Sequence, residues 1–431
     1  MGLGNMKQRI LYITVFLLFK ISLEIIYSFV VTPLYSYSGL IWEPNISKYI
    51  FSTLIFLMLL TYTPINQIKP SNQLLSLIVI VIYIPISSFF WATNSSTLYF
   101  FYISTCIFII VTIVKYLKFP KIPLVNFGKL NYMDIANFLL IFTFFLLFIF
   151  TIISGGIDLR ALNFNSIYEL RSGYEYNGLL GYLFNWIPKL FIPLIIIIYY
   201  FEKKYFRLFI AVNMQVYFYL MTGHKSFLFA IVLLLALSYL LKKKKFLIGL
   251  PFFFIIMLTT SVILYQFSKN IFFIALMPVR QLNIPAQLSF KHFEFFSQNP
   301  KLYFSESIIG KILSIESPYN LISTYLIGGG NVNANTGFLG DAFDNGGPYL
   351  MILYSVILGL ILLLIDSIAR RSSKKYIYTA FFLYSIIILN DTGLLTAMLT
   401  SGIALLITFM YIYASTEKHL SKDLTENKIR G

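Results

Sequence analysis

Residues 135–154 are Ile-Ala-Asn-Phe-Leu-Leu-Ile-Phe-Thr-Phe-Phe-Leu-Leu-Phe-Ile-Phe-Thr-Ile-Ile-Ser, a stretch without a single charged side chain. An α-helix needs about 20 mainly apolar residues to cross the hydrocarbon core of a bilayer. The rest of the chain has the same character, because 58% of its 431 residues are hydrophobic and only 12% are charged. Soluble domains have about 25% charged residues. The sequence therefore predicts an all-α polytopic membrane protein.

About twelve segments of this kind are predicted to span the membrane. They are residues 10–31, 47–66, 74–93, 98–115, 135–154, 186–201, 207–222, 226–241, 246–266, 348–366, 375–394 and 394–415. The first segment is long enough to span, and no small-residue cleavage site follows it, so we interpret it as a retained helix instead of a signal peptide. Spans 207–222 and 226–241 form a predicted tight hairpin around Gly223-His224-Lys225.

The distribution of basic residues predicts the orientation of these spans. With the N-terminus inside, 22 of the 33 lysines and arginines fall on the cytoplasmic side and 8 on the outer side. This bias follows the positive-inside rule, and it places both termini in the cytoplasm, with a short charged tail at 416–431. The net charge of +16 is thereby explained by topology, and we expect no nucleic-acid partner. The cytoplasmic loops are short and contain no nucleotide-binding motif.

Two larger loops are predicted on the outer side, at 155–185 and 267–347. The first loop contains Arg160, Tyr168 and Arg171 among further tyrosines, asparagines and glutamates. The planar fork of arginine binds phosphate oxygens in pairs and keeps its charge, and tyrosines can stack on sugars. The loop can therefore hold a lipid-linked sugar pyrophosphate. The alternative is a solvated loop whose arginines pair with neighbouring acids.

The second loop contains Arg280 and the aromatic segment 288–296. At helical spacing Phe290, Phe293 and Phe296 share one side of this segment. The segment is too polar to span, so we expect a helix in the membrane interface, or one that simply caps the bundle. His292 lies within it and is a candidate general base, since its charge changes near pH 7; a lone histidine without a catalytic role is the alternative.

A glycine-rich stretch at 327–348 closes the second loop. It offers amide, hydroxyl and carboxylate groups on Asn331, Asn333, Asn335, Thr336, Asp341 and Asp344. Glycines permit the turns that aim such groups at a ligand. The alternative is a turn-rich connection that leads to Pro348, where the next span begins. The density of asparagines and aspartates favours a binding site.

Two ionisable residues fall within the first span. Lys20 and Glu24 are four positions apart, which places them on the same side of a helix and predicts an ion pair directed into the bundle. Lys189, in the sixth span, is explained as well by a side chain that reaches toward the interface.

Three stretches resemble the Wzy-type oligosaccharide repeat-unit polymerases of bacterial O-antigen and capsule synthesis. Asn335-Thr-Gly-Phe-Leu-Gly-Asp-Ala-Phe-Asp-Asn-Gly-Gly-Pro348 is similar to the family's Asn-x-x-Phe-Leu-Gly-Asp/Glu stretch ahead of a span. Thr222-Gly-His-Lys-Ser226 is similar to its Gly-x-Arg/Lys-Ser hairpin, and Tyr168-Glu-Leu-Arg171 to its arginine-bearing external loop. The Arg-x10-Gly spacing described for some members is absent here.

The resemblance implies a membrane glycosyltransferase of the GT-C class that needs no metal and no other cofactor. Two undecaprenyl-pyrophosphate-linked glycans meet on the outer face of the bacterial cytoplasmic membrane. A sugar hydroxyl of one attacks the anomeric carbon of the other, and undecaprenyl pyrophosphate leaves. Besides these substrates and membrane lipid, the resemblance implies a chain-length regulator protein as a partner.

The resemblance also directs the choice of site residues. Arg160, Arg171 and Arg280 are the candidates for stabilising the leaving pyrophosphate, with Lys225 assisting. The base, if one is needed, is Asp341, Asp344 or Glu306. Further predicted substrate-binding residues are Tyr168, Asn331, Asn333, Asn335 and His292. Two other functions stay open: an O-antigen ligase, which transfers finished polymer to a lipid-A core, and a flippase or other transporter of lipid-linked oligosaccharide.

Overall fold

The computed structural model of the protein describes residues 3–125, 131–162, 178–319 and 334–429. Throughout these residues the regular structure is helical. The helices of the first half are α1 Leu3–Ile26, α2 Thr32–Tyr35, α3 Ile46–Tyr62, α4 Pro70–Ile78, α5 Ile84–Ala92, α6 Thr97–Tyr116, α7 Tyr132–Ser154, α8 Gly178–Trp186, α9 Ile192–Phe201 and α10 Tyr205–Thr222. Those of the second half are α11 Ser226–Lys242, α12 Phe246–Ser268, α13 Phe272–Ile274, α14 Ile284–Gln298, α15 Ile308–Leu313, α16 Phe338–Ile368, α17 Lys375–Ile388, α18 Leu394–Leu399 and α19 Ile403–Ile429.

Helices that are long and apolar enough to cross a membrane make up much of the bundle. Within the described residues, seven helical segments are long and apolar enough to cross a bilayer: Met6–Ser38, Pro70–Ala92, Thr97–Tyr116, Tyr132–Ser154, Gly178–Phe201, Phe246–Ser268 and Phe338–Arg371. Shorter apolar helices are Ile46–Tyr62, Ser226–Lys242, Lys375–Ile388 and Ile403–Glu417. The remaining predicted span, 207–222, coincides with the helix Tyr205–Thr222. The protein is therefore an all-helical polytopic membrane protein.

Prolines explain why several long helices contain a wider turn. π-Helical turns at Tyr27–Val31, Val79–Tyr83, Ile187–Phe191 and Ala275–Asn283 each end where a new α-helix begins with proline at its second position. Proline has no N–H, and its ring clashes with the carbonyl four residues earlier. The chain relieves the clash by opening the preceding turn without ending the helix.

The long helices pack against one another in pairs, and two local predictions for them are confirmed. Helix α1 packs along α12, and α6 packs along α16. Inside this bundle, the predicted Lys20–Glu24 ion pair is confirmed, with both side chains buried. The predicted hairpin is also confirmed, because α10 ends at Thr222, Gly223 has φ of +71°, and α11 begins at Ser226. A positive φ of this size favours glycine.

Residues 267–319 fold back onto the bundle as short helices. Helix α14 packs against α16 and α5, and the aromatic side predicted for it is buried against protein. The ring centroid of Phe293 lies 4.8 Å from that of Phe343, and the centroid of Phe290 lies 5.8 Å from that of Phe89. These contacts agree with a helix that caps the bundle. The position of α14 relative to a membrane interface stays a prediction.

Candidate functional site

The candidate site is built on the first turns of α16. The chain is helical from Phe338, so a turn-rich connection is wrong for this part of the glycine-rich stretch. The helix is interrupted at Gly347, whose φ of +66° and ψ of −155° are accessible to glycine alone. Pro348 follows and begins the apolar remainder of the helix. Residues 338–346 thus form a separate polar helical segment ahead of the span.

Asp344 and His292 form a buried pair at the centre of this segment. The Oδ2 atom of Asp344 lies 2.6 Å from Nδ1 of His292, and the two residues are only 3% and 4% exposed. The Nε2 atom of His292 lies 2.8 Å from the carbonyl oxygen of Ala334. A carbonyl can only accept, so Nε2 donates a proton to it. This fixes the ring between helix α14 and the start of α16.

The surroundings of His292 favour its charged form. Burial lowers the pKa of His292, but the charge and hydrogen bond of Asp344, the Ala334 carbonyl and the charge of Asp341 together raise it above its ordinary value. An imidazolium with both N–H groups donating matches the two acceptors that surround it. His292 is therefore suited to hold and orient the carboxylate of Asp344. It is not placed to accept a proton in this arrangement.

Lys301 brings a second cation to the same carboxylate. Its Nζ atom lies 3.4 Å from the ring centroid of Phe343, in the first turns of α16. Burial lowers the pKa of Lys301 to about 8, and the charge of Asp344 opposes that shift. The ammonium is thus close to its titration point near neutral pH. A lysine of this kind can stabilise negative charge and can also exchange a proton.

The loop that presents Lys301 is fixed by backbone contacts to α16. The N–H of Leu302 donates to the carbonyl of Asp344 at 2.9 Å, and the N–H of Phe304 donates to Oδ1 of Asn345 at 2.7 Å. Tyr303 and Phe304 have φ of 48° and 66°. Two consecutive bulky residues in the left-handed region are strained, and such strain persists only where surrounding contacts impose it.

Asp341 lies one helical turn before Asp344, against the turn at 389–393. Its carboxylate fills the space that a Cβ atom at Gly393 would need. The same turn receives the start of α16, because the N–H of Phe338 donates to the carbonyl of Leu389 at 3.1 Å. Asn390 in turn donates to the carbonyl of Gln281 at 2.8 Å. These contacts join the start of α16, through the turn at 389–393, to the backbone of Gln281, the residue after Arg280.

Glu306 is the third candidate base, and the structure places it at the edge of the group. Its side chain is exposed, and its Oε1 accepts from Ser317 at 3.4 Å. Burial and the negative charge of Asp344 raise its pKa, while the charge of His292 lowers it. These effects show that Glu306 shares the electrostatic environment of the buried pair. Its exposure makes it less suited than Asp344 to a water-excluded reaction.

Four buried polar atoms in this region have no hydrogen-bond partner among the described residues. They are Asp344 Oδ1, Lys301 Nζ, Ser305 Oγ and Thr336 Oγ1. Buried polar groups in proteins nearly always find partners, since leaving one unpaired costs about 1–3 kcal/mol. An acceptor, a cation and two hydroxyls left open in one region fit a ligand rich in hydroxyl or phosphate groups.

Arg280 and Asn335 are accessible from outside. Both side chains are exposed, and Asn335 directly precedes the buried Thr336. Burial lowers the pKa of Arg280, and the nearby Tyr35 hydroxyl opposes that shift; a guanidinium stays charged in either case. The two residues can therefore contact a substrate that reaches the buried carboxylates.

Arg160 and Lys225 lie near the end of α10. The Nε and Nη2 atoms of Arg160 donate to Asp158 Oδ2 at 2.9 and 2.6 Å, as the solvated-loop alternative predicts. The Nζ atom of Lys225 lies 4.3 Å from the ring centroid of Phe272. Of the other predicted residues, Tyr168, Arg171, Asn331 and Asn333 lie outside the described residues.

Sequence reasoning missed Lys301 and Ser305. In the sequence Lys301 is one of the eight basic residues predicted on the outer side, and Ser305 belongs to no motif. The one signal that sequence offers is the Asn299-Pro300 break after an amphipathic helix, which predicts that the following residues turn back. Their contact with α16 depends on residues about forty positions later and has no local signature.

Within the described residues, no group of three or more histidine, cysteine, aspartate or glutamate side chains is placed to hold a metal ion. The expectation of a metal-independent reaction stays a prediction. Comparison of the chain with protein-family models, with curated proteins and with solved structures finds no match.

Proposed function

We propose that this protein polymerises undecaprenyl-pyrophosphate-linked oligosaccharide repeat units into O-antigen or capsular polysaccharide at the outer face of the bacterial cytoplasmic membrane. The observation on which the proposal depends is the buried Asp344–His292 pair with its open Oδ1 atom. Asp344 lies within the stretch 335–348, which resembles the polymerase family. A buried carboxylate with a fixed orientation is suited to accept a proton from a sugar hydroxyl.

In the proposed reaction, the hydroxyl oxygen of one glycan forms a bond to the anomeric carbon of the other. The bond between that carbon and the pyrophosphate oxygen breaks, and undecaprenyl pyrophosphate leaves with the electron pair. The hydroxyl proton passes to Asp344 Oδ1. His292 acts as a positioning residue, because its imidazolium holds the other oxygen of the carboxylate at 2.6 Å. Asp341 and Glu306 are the remaining candidates for the base.

Stabilisation of the leaving pyrophosphate is assigned to Lys301, whose charge acts on Asp344, and to the exposed Arg280. Arg280 and Lys301 are the described residues best suited to this role, because fixed positive charges stabilise charge that develops during reaction. Arg280 is exposed and always charged. The pairing of Arg160 with Asp158 makes Arg160 a weaker candidate than the sequence indicates.

The proposal includes the number of membrane spans, their arrangement and their orientation. We infer about twelve spans, a GT-C-like arrangement and cytoplasmic termini. Eleven of the predicted spans lie on continuous helical segments, whereas the twelfth, 394–415, is divided by a turn at 400–402 into the helices Leu394–Leu399 and Ile403–Ile429. The helical segments support the number of spans, and the distribution of basic residues supports the orientation. With this orientation, the carboxylate group lies on the outer side. A chain-length regulator remains a proposed partner.

An O-antigen ligase is the second candidate function. The observation that favours it is the position of His292, which lies at the centre of the buried group instead of on a solvated surface. Ligases of this type depend on a histidine and arginines in their large external loop. Their reaction uses the same donor chemistry with a different acceptor, so the acceptor has to be identified by experiment.

Surface glycan of a strain that lacks this gene tests the proposal. The strain is complemented with the wild-type chain, with Arg280→Ala, or with Lys269→Ala, which removes an exposed cation of the same predicted outer loop as a matched control, and the glycan is resolved on a gel. We expect a ladder from the wild type and the control, and loss of the ladder with Arg280→Ala. Equal amounts of each chain in membranes, measured by immunoblot, exclude an effect on folding.

The deletion strain itself separates the candidate functions. A single repeat unit at the surface without a ladder supports the polymerase. Polymer that accumulates on the carrier lipid and never reaches its final acceptor identifies a ligase. Loss of all external glycan, single repeats included, identifies a flippase or an earlier step and contradicts the site assignments made above.

A further inference from the structure

A basic cavity lies at the far end of α16 from the candidate site. Its volume is about 270 Å³, and it is lined by Lys121, Ile122, Leu124, Ser367, Arg370 and Arg371. The helical stretch from Pro348 to Ile368 is roughly 30 Å long at 1.5 Å per residue, about the thickness of the hydrocarbon core. The cavity is therefore separated from the carboxylate group by the depth of a membrane, on the side predicted to be cytoplasmic.

The walls of the cavity are fixed by hydrogen bonds. The hydroxyl of Ser367 donates to the carbonyl of Pro120 at 2.6 Å, which joins α16 to the extended segment 117–125. The hydroxyl of Tyr411 donates to the carbonyl of Pro123 at 2.7 Å and lies 3.2 Å from the N–H of Val125. Hydrogen bonds to α16 and α19 therefore fix segment 117–125, which has no regular structure. The shape of the cavity is defined by these contacts.

The positive charge of the cavity has no ion-pair partner among the described side chains. Among the described residues, no carboxylate forms an ion pair with Lys121, Arg370 or Arg371. Nearby acids have other partners, since Asp366 accepts from the N–H and hydroxyl of Ser71 at 2.9 and 2.6 Å. Glu202 pairs with Lys374 at 2.8 Å. All three basic side chains are exposed, so their charges are accessible to an anion from outside the protein.

The surroundings of the cavity identify the source of that anion. Ile122 and Leu124 give the cavity an apolar wall, and Tyr116, Leu117 and Val125 beside it are exposed. A free phosphate ion gains nothing from exposed apolar side chains, whereas the acyl chains of a lipid can cover them. Basic pockets beside transmembrane helices on the cytoplasmic side recognise anionic lipid headgroups in this way.

We propose that the cavity formed by Lys121, Arg370 and Arg371 binds the phosphate headgroup of an anionic phospholipid. The arginines contact the phosphate oxygens, and the glycerol end of the acyl chains lies against Ile122 and Leu124. This site is independent of the proposed polymerase activity, because it lies on the opposite side of the bundle.

Native mass spectrometry of the full-length protein in detergent tests the proposal. The protein is titrated with phosphatidylglycerol or with phosphatidylcholine of identical acyl chains, and retained lipid is counted. We expect preferential retention of phosphatidylglycerol. In the variant Lys121→Gln/Arg370→Gln/Arg371→Gln, we expect retention to fall by roughly tenfold or more, since each basic residue near the headgroup favours anionic lipid.

A matched control removes equal charge from the same end of the bundle. Lys203→Gln/Lys204→Gln/Lys244→Gln changes three exposed lysines that do not line the cavity, and it should retain phosphatidylglycerol like the wild type. If the cavity variant does not fold, wild-type selectivity and its loss at high salt still test the site. Equal retention of the two lipids, or an equal loss in the control, overturns the proposal. Displacement of phosphatidylglycerol by millimolar inorganic phosphate identifies a free-phosphate site instead.

Discussion

Two buried ion pairs in this protein differ in how completely they are satisfied. Lys20 and Glu24 lie one turn apart on α1, and Oε1 of Glu24 also accepts from Ser88 at 3.1 Å and Trp91 at 2.7 Å. His292 and Asp344 are 52 positions apart. Asp344 keeps a buried oxygen without a partner among the described residues, whereas the Lys20–Glu24 pair contributes no such atom.

The comparison distinguishes a structural pair from a reactive one. Both pairs are buried to a similar extent, so burial alone does not indicate function. A buried charge whose hydrogen bonds are complete has no capacity left for a ligand. Open donors and acceptors are costly for stability, and they are expected where a substrate completes them. We therefore expect changes to the first pair to alter stability and changes to the second to alter activity.

The largest effect on activity is expected from Asp344→Asn. The amide keeps the size of the side chain but cannot accept a proton from the substrate, so polymer formation should fall roughly 100-fold or more. Expression and thermal stability in detergent should stay near those of the wild type. Activity is measured as repeat units joined per time in proteoliposomes. Wild-type rates from the folded variant contradict the assignment of Asp344 as base.

The Lys20–Glu24 pair should respond in the opposite manner. Lys20→Met leaves the charge of Glu24 unpaired in the bundle and should lower the free energy of unfolding by about 3–5 kcal/mol. Lys20→Met/Glu24→Gln removes the unpaired charge and keeps an acceptor for Trp91, so it should be more stable than Lys20→Met alone. Equilibrium unfolding in mixed micelles measures both. If the double variant is no more stable than the single one, the pair is not coupled as described.

Removing one hydroxyl near each ion pair tests the same distinction between stability and activity, with smaller expected effects. Thr336→Val removes a buried hydroxyl without a described partner, so stability should stay equal or rise while activity falls roughly 2- to 10-fold. Ser88→Ala removes a donor to Glu24 and should cost about 1.5–3 kcal/mol of stability with activity per folded molecule unchanged. Unfolding and polymerisation are measured on the same preparations. A loss of stability in Thr336→Val without loss of activity contradicts the distinction.

The smallest predicted effect is on the pH dependence of activity, to which the charge of Lys301 contributes. Burial lowers the pKa of its ammonium to about 8, so the cation is present below that pH and is lost as pH rises through it. Activity that depends on this charge should decline above about pH 8. Lys301→Arg keeps a cation over the Phe343 ring at all these values and should extend activity to higher pH. The pH profiles of the two chains are compared, and coincident alkaline limbs show that Lys301 does not contribute.

Much of the fold follows from the sequence because hydropathy is a local property. The span 135–154 is mainly apolar and has no charged residue, and it coincides with the helix Tyr132–Ser154. The Lys20–Glu24 pair is predictable for the same reason, since a spacing of four fixes both residues on one side of a helix. The surroundings of helix α14 are harder to predict from the sequence. An aromatic side that faces lipid and one that faces protein have the same sequence pattern.

The candidate site is less predictable because its contacts join distant parts of the chain. Asp344, His292, Asp341 and Glu306 are each recognisable as candidates, but no pattern indicates that Asp344 and His292 pair. The role of Lys301 depends on a loop that hydrogen-bonds back to α16. The ion pair of Arg160 with Asp158, two positions away, is local by contrast, and the proposed role of Arg160 in binding pyrophosphate stays a prediction.

The most direct test of this account is polymerisation by purified full-length protein in proteoliposomes supplied with lipid-linked repeat units. The wild type, Asp344→Asn and Lys20→Met/Glu24→Gln are compared at equal amounts of folded protein. We predict ladders of polymer from the wild type and the Lys20/Glu24 variant, and unextended repeat units from Asp344→Asn. A ladder from Asp344→Asn that forms at the wild-type rate would contradict the claim that the open Asp344–His292 pair is the reactive site.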